Sequence, residues 1–242
     1  MGNDIEVLQA GGDGGSIPLY FIAHDPSTQS IVVAHEGTDP HSLLSILNDV
    51  EFPLVSLNSS RFPSANGENV QVHDGFQQTF ERTADSVLAG VQNGLASKGV
   101  SKVLVTGHSQ GAAIAMMDAV MLRQDLDTSV EITTTVFGLP RGGNPAWADF
   151  IDTTLGTTMA HMTNQDDPVP LVPPQLIGYQ HPSGEVHIRA VDANGDATDV
   201  VACPGQENEN CSDGNSFLES SVQNHLGPYL ENVSFGSAAC SL

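Results

Sequence analysis

Two apolar runs near the start of the chain, Pro18-Leu19-Tyr20-Phe21-Ile22-Ala23 and Ser30-Ile31-Val32-Val33-Ala34-His35, flank Asp25-Pro26-Ser27-Thr28 and predict a hairpin. The Gly-rich stretch from Gly11 to Gly15 ahead of them reads as a loop. From Phe76 to Ser97, apolar residues recur at three- and four-residue steps through Phe76, Phe80, Val87, Leu88, Val91 and Leu95. That spacing predicts one amphipathic helix, closed by Lys98-Gly99. A short buried strand follows over Lys102 to Thr106, then a tight Gly-containing turn and a helix from Ala112 to Leu122. Glu131 to Phe137 is a β-branched strand, Asn144-Pro145 opens another helix, and Met159 to Thr163 is the next strand. Strands alternating with helices predict an α/β fold with a predominantly parallel central sheet and helices on both faces.

The chain has 242 residues, within what one hydrophobic core organises, so a single domain over residues 1–242 is expected. No apolar stretch approaches the roughly 20 residues of a membrane-spanning helix. Seven Lys and Arg stand against 29 Asp and Glu, a net charge of −22, which repels phosphate backbones and excludes nucleic acid as a partner. The three cysteines leave an odd one. Cys203 and Cys211 enclose a polar loop and are either a local disulfide or two separate thiols, their spacing being too long for a zinc ligand pair. Met1-Gly2-Asn3 opens neither a basic nor an apolar leader, so the chain is either cytosolic or a trimmed part of a secreted protein, and the second is the expectation. Sequons at Asn58, Asn210 and Asn232 agree with secretion as glycosylation candidates.

The candidate chemistry sits at the turn between the buried strand and the Ala-rich helix, where Gly107-His108-Ser109-Gln110-Gly111 fits G-x-S-x-G. Such a turn lifts a Ser hydroxyl above the sheet edge, and its glycines remove β-carbons that would collide with strand and helix. A Ser hydroxyl is a weak nucleophile until a His accepts its proton and a carboxylate orients that His. The order Ser, acid, His selects Asp167 on the loop after Met159 to Thr163, with Asp166 as the alternative. Among His181, His187 and His225, only His225 lies on a C-terminal loop; His187 falls in the alternating run Glu185-Val186-His187-Ile188 and reads as a sheet residue. The run Asp192 to Asp196 reads as a hairpin turn, Trp147 as a packing residue, and no metal or cofactor is called for.

The chain resembles the fungal class 3 lipases, a branch of the α/β-hydrolases that includes triacylglycerol lipases and some feruloyl esterases. The resemblance rests on the run from Ile31 to Pro40, on Val72-His73-Asp74-Gly75-Phe76, and on the run from Val105 to Gly111. It continues through Phe137 to Asn144, Asp167-Pro168-Val169-Pro170 with Pro173-Pro174, and His225 to Tyr229. It implies Ser109 as nucleophile, Asp167 as acid and His225 as base, with an oxyanion hole formed by the backbone N–H groups of Thr38 and Gln110. It also implies a lid, for which Leu43, Leu44, Ile46 and Leu47 are the candidate apolar face. The Cys203–Cys211 bridge follows from it as well.

Departures from the family pattern are Gln110 where many relatives have Leu, and Glu36 where many have Arg or Gln. An N-terminal helical segment whose cysteine would pair with Cys240 is also missing. The expectation is therefore a secreted serine ester hydrolase, triacylglycerol first, acting on lipid at an oil–water interface. A feruloyl or other carboxylesterase, or an inactive lipase-like binding protein, is the alternative.

Overall fold

The computed structural model describes residues 5–37, 52–65 and 69–236. Eight strands form the main sheet in the order β1 (Glu6–Gly11), β2 (Tyr20–Asp25), β3 (Ser30–His35), β6 (Lys102–His108), β7 (Glu131–Phe137), β8 (Met159–Asn164), β9 (Glu185–Val191) and β10 (Ala197–Ala202). The pairs β1–β2, β2–β3 and β9–β10 are antiparallel, and the ladder from β3 through β9 is parallel. A separate antiparallel pair joins β4 (Leu54–Ser56) to β5 (Gln71–His73). The expected hairpin is present, extended by β1, which the Gly-rich start concealed. Asp192 and Asp196 close the β9–β10 turn as expected, with Asp192 N–H accepted by the Asp196 carbonyl at 2.9 Å.

The alternation of side chains along these strands assigns the two faces. Val33, Val105 and Val136 are fully buried on one face, which packs against α2 (Ala84–Lys98) and α3 (Gln110–Asp125). His108 and Phe137, on the other face, meet Tyr229 and Phe235 at ring-centroid distances of 4.2 to 6.2 Å. Beside that contact the second face stays open across Phe21, Ala34 and Thr106, where a cleft of about 690 Å³ runs to Phe235.

The single helix expected from Phe76 to Ser97 is instead two, α1 (Asp74–Glu81) and α2. Thr83 breaks it: its N–H and its hydroxyl both donate to the Phe80 carbonyl, at 3.0 and 3.2 Å, closing a tight turn. The apolar sequence has its gap at that point, between Phe80, which stacks on Phe62 at 5.5 Å, and Val87. α2 ends as expected at Gly99, whose φ of 65° is left-handed. α3 begins at Gln110, earlier than the expected Ala112, and is buried on every side from Gly111 to Leu122. α4 (Pro145–Leu155) starts behind Asn144, whose side chain accepts from Trp147 N at 3.0 Å. Trp147 is 2% exposed and packs edge-on against Phe62, the structural role expected of it.

Candidate active site

Ser109 lies between β6 and α3 with φ 58° and ψ −126°, a conformation costly for a residue with a β-carbon. Its N–H donates to the Phe137 carbonyl at 3.0 Å. The turn closes only because its flanking positions lack side chains. A β-carbon on Gly107 would stand 2.3 Å from the Gly111 carbonyl oxygen, and one on Gly111 would stand 2.4 Å from that of Glu36. The first turn of α3 brings the partial positive charge of its N-terminal end to Ser109, whose carbonyl accepts from Ala112 N at 3.0 Å.

β8 ends in Asn164, and a turn closed by Asp167 N–H to the Asn164 carbonyl at 3.1 Å delivers the carboxylate. Asp167 is fully buried; Oδ1 accepts from Val169 N at 2.8 Å and Oδ2 from His225 Nδ1 at 2.8 Å. Asp166, the alternative, is exposed and makes no such contact with a His ring. His225 sits in a short helix, α5 (Val222–Leu226), rather than in open loop. This helix is tied to the β8 loop by Ser221 N–H to the Asp166 carbonyl at 2.8 Å and by Asn164 Nδ2 to the Asn224 carbonyl at 2.8 Å.

With Nδ1–H donated to the carboxylate, the lone pair of His225 lies on Nε2. Nε2 is buried with no hydrogen-bond partner among the described residues. The ring is held from behind: Tyr229 Oη and His108 Nε2 both donate to the His225 carbonyl, at 3.0 and 2.8 Å. The His108 ring lies 4.3 Å from that of His225. Burial first, and electrostatic repulsion from the neighbouring His225 second, push His108 down to about 3, so it stays neutral beside Ser109. Burial also pushes the Tyr229 phenol well up, which keeps it a donor. Gly138, with φ 54°, leaves the space the ring needs: a β-carbon there would be 2.6 Å from His225 Cε1.

Against this geometry, a profile of the lipases of class 3 matches residues 32–177. The chain belongs to the class 3 lipase family. A secreted mono- and diacylglycerol lipase of Malassezia globosa is 37% identical over 205 residues, covering 85% of this chain and 65% of that protein. The chain thus spans just under two thirds of that relative's length. Rhizomucor miehei lipase in its propeptide complex superposes with a TM-score of 0.81 at 27% identity, over 97% of this chain and 71% of that one. A triacylglycerol lipase whose catalytic centre is described as a serine protease triad superposes at 0.79 with 26% identity, over 96% and 83%. The lipases in this set share the α/β-hydrolase fold seen here.

In this member of the class 3 lipase family, the disulfide between Cys203 and Cys211 is formed, and both cysteines are buried. They flank Glu185, the one grouping of metal-ligand types found among the described residues, but both sulfurs are taken and Glu185 accepts from Thr163 and Ser212. His187 is a buried β9 residue bonded to Thr163, as expected. Asn210 and Asn232 are exposed, whereas Asn58 is half-buried with Nδ2 donating to Glu81 at 2.7 Å. The oxyanion candidate Thr38 and the lid candidates Leu43, Leu44, Ile46 and Leu47 lie outside the described residues. Gly37, the last described residue of that segment, lies tightly against Ser109: a β-carbon there would be 2.7 Å from the His108 carbonyl oxygen and 3.3 Å from Ser109 Cβ.

The sequence assigned no part to His108 or Tyr229, which hold the His225 carbonyl. His108 is a variable position of the motif, and the Tyr229 contact is legible only in space.

Proposed function

We propose that this chain is one catalytic domain, a secreted serine lipase that hydrolyses acylglycerol esters through Ser109, His225 and Asp167. The observation that carries the reading is the Asp167–His225 hydrogen bond with His225 Nε2 buried and without a partner among the described residues, its ring 4.3 Å from that of His108, which precedes Ser109 on a strained strand-to-helix turn. His225 takes the Ser109 proton as the hydroxyl oxygen attacks the ester carbonyl, then returns it to the leaving glyceride alkoxide. Water, activated by the same imidazole, releases the fatty acid from the acyl-enzyme. The N–H groups of Gln110 and Thr38 hold the oxyanion; one such donor contributes roughly 2.7–4 kcal/mol to the transition state.

Ser109 is 3% exposed and His225 and Asp167 are fully buried, so the proposed reacting groups lie away from bulk water. The name of the 37%-identical relative weights the substrate toward mono- and diacylglycerols, and the solved triacylglycerol lipase keeps the triglyceride in range.

The test is a panel of tri-, di- and monoacylglycerols beside p-nitrophenyl esters and methyl ferulate, below and above their solubility limits. Acylglycerol hydrolysis that rises once substrate is dispersed supports the reading. Faster turnover of methyl ferulate supports the esterase alternative. Failure of an organophosphonate to label Ser109 supports the inactive binding protein.

A further inference from the structure

Outside the three residues above, a further deeply buried polar couple links β3 to α3. Nε2 of His35 and Oδ2 of Asp118 lie 2.5 Å apart, with side-chain exposures of 1% and 0%. His35 is the last residue of β3 and Asp118 stands in the middle of α3, whose other residues from Gly111 to Leu122 are buried and mostly apolar. Asp118 Oδ1 has no hydrogen-bond partner among the described residues, so His35 is what satisfies this carboxyl. Two apolar side chains of similar size would pack there without the desolvation cost such a couple carries. The fold itself therefore does not require it.

Its position supplies a reason. The end of β3 crosses the first turn of α3 backbone to backbone. A β-carbon on Gly111 would stand 2.4 Å from the Glu36 carbonyl oxygen and 2.6 Å from that of His35. With glycines at the crossing, no side chain there keys the strand to the helix, and the His35–Asp118 bond makes that link two turns further down. The imidazole is itself held: Tyr20 stacks on it at 5.7 Å, and Tyr20 Oη donates to Ser86 at 2.9 Å.

We propose that His35 and Asp118 are a positioning pair that sets the end of β3, through Glu36 and Gly37, against the first turn of α3, and so the backbone on which the proposed oxyanion donors stand. The pair touches no reacting atom. It acts through backbone, and it rests on the serine-lipase reading above. Oxyanion donors act on charge that develops in the transition state, so loosening their spacing lowers kcat and leaves KM nearly unchanged.

The experiment compares the wild type with Asp118→Asn, His35→Gln and His35→Ala on soluble p-nitrophenyl butyrate, with melting temperatures recorded for each. The expected result is a fall in kcat of about 10-fold for the two size-conserving variants and about 100-fold for His35→Ala, with KM within about twofold. A folded variant with lowered melting temperature but wild-type kcat would overturn the proposal and leave the pair a structural tie.

Should the variants not fold, the wild type decides through its own spectrum: the ¹⁵N-labelled His35 ring resonances are expected to move when an organophosphonate fills the oxyanion site. Resonances that stay in place would overturn it. A wild type that neither turns over ester nor takes phosphonate removes the functional reading and this proposal with it; an active wild type with indifferent variants removes the pair alone.

Discussion

The carboxylate of Asp167 and the imidazole of His225, 58 residues apart in the chain, meet through a 2.8 Å Oδ2–Nδ1 hydrogen bond from which solvent is excluded. That bond fixes which nitrogen of the ring carries the proton, so its loss should harm catalysis more than folding. Asp167→Asn is expected to lower kcat about 10⁴-fold, and Ser109→Ala or His225→Gln by at least as much. Because the three act as a unit, the triple variant should be little worse than the single ones. Single-turnover hydrolysis of a p-nitrophenyl ester measures this, and additive losses would argue against a shared mechanism.

Gly138 provides a second test through space rather than chemistry. Its φ of 54° and the 2.6 Å approach to His225 Cε1 mean that Gly138→Ala must strain the backbone and displace the ring. The expected cost is about 1–3 kcal/mol in stability, with a drop in phosphonate labelling of Ser109 beyond what the melting temperature predicts. Retention of the full labelling rate would show that the ring tolerates the shift.

Acid should weaken the fold well above the carboxylate range. His108, His161, His181 and His187 are all held below the ordinary imidazole value, burial being the largest cause for each. The unfolded chain takes up these protons as pH falls below about 6.5, whereas the folded chain resists, down to about 3 for His108. The unfolded state then binds more protons, so stability is full above about 6.5 and declines through that window. Asp118 and Asp213, both pushed up chiefly by burial, oppose the trend. Calorimetry from pH 7 to 4.5 should show a falling melting temperature, with a shallower slope for His161→Gln. A flat profile would mean that these rings ionise freely.

The Cys203–Cys211 loop carries Glu207, which accepts from Arg141 Nε at 2.9 Å and from His181 N at 2.7 Å. Arg141 in turn donates to Asp213 and to the Pro173 carbonyl. Opening the disulfide with paired Cys→Ser changes is expected to cost about 2–3 kcal/mol from loop-closure entropy. Ester hydrolysis should persist at temperatures where the variant stays folded, since Asp167 and His225 are held by separate bonds. A melting temperature unchanged by reduction would show that Arg141 and Glu207 hold the loop without it.

What the chain alone determined is what local rules can encode. The apolar alternation of β3, β6 and β7, the Gly-flanked Ser109 and the Pro-led start of α4 each follow from neighbours a few residues away. The reading of Asp167 and His225 came from their order along the chain and the loops they occupy. The tertiary structure decided the rest. Thr83 divides one apparent helix because its N–H and hydroxyl find the Phe80 carbonyl, a break that the apolar gap between Phe80 and Val87 permits but does not require. His35 and Asp118 each look like stray polar residues in apolar runs, and only the crossing of β3 over α3 makes them partners. Burial and pairing depend on contacts between distant segments, and no pattern along one strand or one helix contains them.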